Sequence, residues 1–267
     1  MKPDGRGPST TSHTMNPTRS LTLILLLAGY TGCTTHPTRP DIVATYSIVA
    51  FDPETGDLGV GVQSKFFSVG TVVPFAKTNI GAVATQASAN VSYGPLALKL
   101  LEEGGSVEEI VKLLPADDEG RDHRQFGVID ARGNAAAHTG SACLPFAGHR
   151  AGKNFSVQGN ILAGEKVLDG MVAAFEAARS AKDSELADWI VAALQGAEDA
   201  GGDRRGRQSA ALLVVREGAG YGGESDRYID LRVEDHADPT HEMARLLAIH
   251  KDFYAAKHRN RPVRAKE

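Results

Sequence analysis

A threonine that becomes the first residue of a chain is a small catalyst in itself. Its hydroxyl is the nucleophile, and its own α-amine, with an unperturbed pKa of roughly 7.7 to 8.0, takes the proton. Thr45 opens the stretch TYSIVAFDPETGDLGVGVQSKFFSVG at residues 45–70 and has the setting for that role. On position alone the plainer reading is a strand residue, since threonine favours strands. Ser47 and Ser64 in the same stretch are hydroxyls that could act without an α-amine. Acyl transfer also needs donors aimed at the developing oxyanion. ASANVSYGP supplies Asn90 and Ser92, and VQGN supplies Gln158, Gly159 and Asn160. Asn90 and Asn160 are therefore oxyanion or substrate-amide candidates, with turn capping as the alternative. GGDRRGRQS, the densest polar cluster, holds Asp203, Arg204, Arg205, Arg207 and Ser209. Its arginines could grip the carboxylate of a peptide-like substrate bidentately, or form a solvated charged loop.

The elements that must position these residues are legible from periodicity. TYSIVAF and LGVGVQS are apolar and β-branched around DPETGD, which carries turn residues, so the domain opens on a β-hairpin. FFSVGTVVPF and IGAVATQAS read as two further strands around the turn Lys77-Thr78-Asn79. Pro95 suits a first helical turn, Gly104-Gly105 a stop, and Ser106 with Glu109 a capping box for SVEEIVKLL, halted by Pro115. RQFGVID and AAAHTG form a hairpin across ARGN, and NFSVQGNIL is a strand. Residues 164–179 and 184–195 are amphipathic helices, the second capped by Asp183 or Ser184. SAALLVVRE and RYIDLRV are strands joined by GAGYGGESD, a flexible hairpin and not a phosphate loop, which would open a helix. A last helix begins near Asp238-Pro239, with Met243, Leu246, Leu247 and Phe253 on one face. Hairpin-connected strands with helices in runs predict an α+β fold, an antiparallel double sheet with helices outside.

At 267 residues and 42% hydrophobic, one large domain is expected. A net charge of -4 offers no basic excess for nucleic acid. Residues 1–33 read as an export segment, because MNPTRS from Met15, a possible true start, precedes the apolar run LTLILLLAG, too short to span a bilayer. Tyr30-Thr31-Gly32-Cys33 is similar to the lipobox of bacterial lipoproteins, with Tyr30 where an aliphatic residue is usual, so Cys33 is a lipidation candidate and the membrane a partner through it. The protein is then an exported periplasmic or envelope-anchored lipoprotein, or a secreted protein. Residues 34–44 are a tether, 45–256 the domain and 257–267 a basic tail. The other cysteine, Cys143 in SACLPF, reads as a buried small hydrophobe. His138 reads as structural; the histidines show no HxxxH or HxH spacing, so no metal and no cofactor is expected.

The motifs TYSIVAFDPETGDLGVGVQSKFF, GAVATQASANVSYGP, AAHTGSAC, VQGNIL and GGDRRGRQSAALLVV together resemble the domain-of-unknown-function 1028 family, grouped with the N-terminal-nucleophile hydrolases, from about Thr45 to Phe253. The resemblance implies a four-layer αββα sandwich, a nucleophile opening the first strand, where Thr45 stands, and a cation near the end of the second, where Lys65 stands. A hairpin places the end of its second strand beside the start of its first, so Lys65 and Thr45 can be neighbours. Asp203 could then hold the α-amine or Lys65, with Ser64, Gln158 and Ser209 around the substrate.

The lipobox and the free amine conflict. With Cys33 as the acylated terminus the nitrogen of Thr45 is an amide, and activity needs a second cut between Ala44 and Thr45. Two functions follow: an exported amidohydrolase acting on a small amide or peptide after that cut, or a membrane-tethered binding module without turnover on the same fold, either one a possible homo-oligomer.

Overall fold

The computed structural model describes residues 45–258. The export segment 1–33 with Cys33, the tether 34–44 and the tail beyond 258 lie outside the described residues.

β1 (Thr45–Phe51) and β2 (Leu58–Ser64) form the opening hairpin, with Thr45 opposite Ser64 and Phe51 opposite Leu58. Asp52 closes its turn, accepting from the Glu54 N–H at 2.9 Å and the Thr55 hydroxyl at 2.8 Å. FFSVGTVVPF is not the expected strand. Its first part is a loop with a 3-10 turn at Val69–Thr71, and only Pro74–Lys77 is extended, as β3. Ser68 has a left-handed φ of 58°, and the Ser209 hydroxyl bridges the Phe66 carbonyl (2.6 Å) and the Val69 N–H (3.1 Å), so a side chain takes backbone groups that a strand partner would have taken.

β4 (Gly81–Ala87), α1 (Tyr93–Glu102) and α2 (Val107–Leu113) follow, α2 carrying the predicted Ser106–Glu109 capping box. Next come β5 (Arg124–Asp130), β6 (Ala135–Thr139), β7 (Gly148–Gly152) and β8 (Phe155–Gly159). β7, sequence GHRAG, lacks β-branched residues and was not expected; it is an edge strand whose only strand partner among the described residues is β8. α3 (Lys166–Arg179) and α4 (Leu186–Asp199) are the amphipathic pair. The cap of α4 is Glu185 with Asp188, not Asp183 or Ser184, because the Ser184 hydroxyl is engaged by the Ala178 carbonyl and the Trp189 indole N–H. β9 (Ser209–Val215), β10 (Arg227–Val233) and α5 (Pro239–His258) complete the chain.

Two antiparallel sheets result, one ordered β10-β9-β2-β1-β8-β7 and the other β3-β4-β5-β6. Alternation along β1 assigns the faces. Tyr46, Ile48 and Ala50 point outward into a core built with α3, α4 and α5, while Val49 and Phe51 point inward with Val60, Val62, Ala82, Ala84 and Ile129. Val83, Phe126 and Val128 cover the outer face of the second sheet under α1 and α2. The described residues form the expected α+β four-layer αββα sandwich. α4 lies directly on β2 because Gly61 has no Cβ, where one would run into Ile190. On α5, Met243 and Leu247 are buried as predicted, but Phe253 is 62% exposed. Among the described residues no helix is long and apolar enough to cross a membrane.

Candidate functional site

Thr45, Ser64 and Ser209 stand in one row across β1, β2 and β9, all on the inner face at one end of the six-stranded sheet and all buried. The carbonyl of Thr45 turns toward β8 and accepts from the Asn160 N–H at 3.0 Å. Its pairing with Ser64 is thus the close, non-hydrogen-bonded kind in which side chains meet, and the Thr45 hydroxyl donates to Ser64 Oγ at 3.2 Å. Ser209 has no part in an Asp203 network; it clamps the loop at residues 66–69, as described above.

Behind Thr45 lies a buried amide network between the sheets. Gln86 on β4 donates from Nε2 to the Thr45 carbonyl (3.3 Å), the Gln158 carbonyl (3.3 Å) and Gln125 Oε1 (2.8 Å), and accepts from the Ser47 hydroxyl (2.6 Å). Gln125 on β5 donates to the Gly159 carbonyl at 2.8 Å and accepts from Asn160 Nδ2 at 2.9 Å. Gln158 donates to Ser47 Oγ (2.6 Å) and accepts from the Ser156 hydroxyl (3.1 Å). Ser47 is therefore a network member with both its donor and an acceptor position occupied. Gln125 and Gln86 escaped the sequence reading. The available signal was a glutamine buried in each of two apolar strands, since a buried amide must find partners. Two strained residues end strands here, Ala87 at φ 65° and Ile161 at φ 54°, the latter β-branched and so costly in that region.

The other candidates fall elsewhere. Lys65 is exposed and one residue past the register position that faces Thr45. Its ammonium donates to the Arg207 carbonyl at 3.1 Å, while Ser64 takes the register position opposite Thr45. Asp203 is buried, but it meets Lys65 only through the backbone N–H (3.2 Å) and is gripped by Arg205 at 2.9 Å. Of the arginines in the same loop, Arg204 donates to the Pro145 carbonyl at 2.7 Å, and Arg207 is engaged by Glu198 and, at 3.5 Å, by Asp238. Glu198 also accepts from Tyr46 at 2.6 Å, and burial followed by that carboxylate pushes the phenol pKa well up. Asn90 takes the turn-capping alternative, accepting from the Ser92 N–H (3.2 Å) and donating to Asp118 (3.3 Å). The Arg124 guanidinium, 2.8 Å from Asp118, holds that carboxyl well below the usual range. His138 meets the Arg121 carbonyl at 3.3 Å. Cys143 is half-buried, and burial raises its thiol pKa. No group of three or more His, Cys, Asp or Glu side chains among the described residues is placed to hold a metal ion.

The loops at the Thr45 end carry three exposed apolar side chains: Phe67 after β2, Val91 after β4 and Leu144 between β6 and β7. Hydrogen bonds hold those loops: Ser209 the first, Asn90 the second, and Ile161 N–H to the Leu144 carbonyl (3.0 Å) with Arg204 the third. A recess of about 390 Å³ lies away from Thr45, between the edge strand β10 and α5, lined by Tyr221, Tyr228, His250, Phe253 and Tyr254 among others.

The model of a family of unknown function, DUF1028, matches residues 45–243. A crystal structure of the protein SPO2555 from Silicibacter pomeroyi, described with the same family, is 32% identical and superposes with a TM-score of 0.71 over 82% of this chain and 95% of that one. Two structures of Thiobacillus denitrificans BPH, one in complex with epoxomicin, share 14% and 12% identity over 64% of this chain and 97% and 98% of theirs. Their TM-scores of 0.37 and 0.38 are too low to carry an argument. No curated protein matches the chain.

Proposed function

The chain belongs to the DUF1028 family of unknown function, and from that premise we propose that it is an exported amidohydrolase whose nucleophile is the Thr45 hydroxyl, freed by a cut between Ala44 and Thr45. The observation that carries this reading is the Thr45–Ser64 hydroxyl contact at the start of β1, with the Thr45 carbonyl pinned from two sides by Asn160 and Gln86. Hydrolysis of the Ala44–Thr45 bond turns an amide nitrogen into an amine. That amine takes the hydroxyl proton as Oγ1 attacks the substrate carbonyl, and returns it to the departing nitrogen; water then cleaves the ester. Ser64 orients Oγ1, and the amine serves as base without help from Lys65. The exposed Phe67, Val91 and Leu144 favour a small amide or peptide with an apolar substituent. Before the cut, an acylated Cys33 would hold the domain at the membrane.

The full burial of Thr45 favours a second reading for the uncut form, a tethered binding module without turnover. The two separate in a screen of amides and short peptides with protein from the native host. The enzyme reading expects turnover that Thr45→Ala lowers by at least about 10³-fold. Full activity in Thr45→Ala sinks it.

A further inference from the structure

Asn160 is 1% exposed, and its Oδ1 meets no donor among the described residues. The assignment of its two amide atoms follows from the network. Nε2 of Gln125 faces the Gly148 carbonyl (3.1 Å) and the Gly159 carbonyl (2.8 Å), which can only accept, so that atom must be nitrogen. Gln125 therefore turns an oxygen toward Asn160, and Asn160 must answer with its nitrogen at 2.9 Å. Flipping Asn160 would set oxygen against oxygen. The atom left over is a carbonyl oxygen, which can only accept. A buried acceptor without a donor is costly, and such groups in native proteins call for an explanation.

The position suggests one. The Asn160 backbone N–H is bonded to the Thr45 carbonyl, so the two residues are cross-strand neighbours at the sheet end, and the next residue is the strained Ile161. Resting on the reading of Thr45 as nucleophile, we propose that Asn160 Oδ1 receives an amide N–H of a peptide-like substrate and so discriminates against amides that lack an N–H at that position. A lasting bond to the freed α-ammonium would favour the charged form and oppose its use as base, which leaves the substrate as the donor consistent with that chemistry.

The test uses full-length protein processed in its host, on a short peptide amide that it turns over and on twins of that substrate methylated at each amide nitrogen in turn. Wild type is expected to reject one twin by roughly tenfold or more in kcat/KM, the factor that one such bond supplies. Asn160→Leu should lose that discrimination, and so should Asn160→Ser, whose hydroxyl can still donate to Gln125 and keep the fold. Discrimination unchanged in both variants overturns the proposal, as does a shift of the acid limb of the pH profile with discrimination intact, which would assign the acceptor to the α-amine. Thr45→Ala measured alongside reports separately on the nucleophile: if it stays active, the parent reading fails whatever the twins show.

Discussion

Ser64 reaches Thr45 and Lys65 does not because side chains alternate along β2 while the hairpin register sets Ser64 directly opposite the start of β1. One residue of offset changes what Thr45 meets, from a cation to a hydroxyl. The same scale governs Asp118, whose carboxylate accepts from Arg124, Tyr93, Gly120 and Asn90 and thereby ties the turn before α1 to β5. Its folded-state pKa lies below the ordinary value of about 3.9. The linkage therefore stabilises the fold above about pH 4 and is lost as pH falls below that toward the folded value. Asp118→Asn should lower the unfolding free energy from urea titration at pH 7 by about 1–3 kcal/mol, and its difference from wild type should shrink below about pH 4. A constant difference from pH 7 to pH 2.5 would assign the effect to packing.

At the scale of elements, the two sheets approach each other where β5 carries Gly127. A Cβ there would strike the Gln158 carboxamide, so this glycine gives the amide network its room. Gly127→Ala should cost about 1–3 kcal/mol in thermal or urea unfolding and should also disturb the Thr45 carbonyl through the Gln158 carboxamide, Ser47 and Gln86. An unchanged melting temperature would mean that the sheets part freely. The loop at residues 66–69 owes its form to Ser209. Ser209→Ala should release Phe67 and reduce kcat/KM several-fold for an apolar amide while sparing a polar one of equal size; equal losses on both would show that Phe67 does not contact the substrate.

For the whole molecule, the four layers leave one end of the sandwich where β1 starts, β8 ends and the Gln86 and Gln125 amides converge, and the proposed cut would open the chain at that end. Activity should appear in step with the mass of a chain beginning at Thr45, and protein still carrying residues 34–44 should be inert; uncut protein with full turnover would refute the free-amine mechanism. Sequence alone determined the elements other than β7 and the 3-10 turn at Val69–Thr71, together with the opening hairpin, the Ser106–Glu109 cap of α2 and the α+β class, because periodicity, capping and turn chemistry act over a few residues. It singled out Thr45 because the chemistry of a terminal threonine is contained in one residue. Only the tertiary structure decided that Arg207 is engaged by Glu198, that Asn90 caps a turn, and that Gln86 and Gln125 form a network behind Thr45. Those partners lie on strands and helices far apart in the chain, and which side chain meets which is set by strand register and by the packing of one sheet on the other, neither of which is a property of any short stretch of residues.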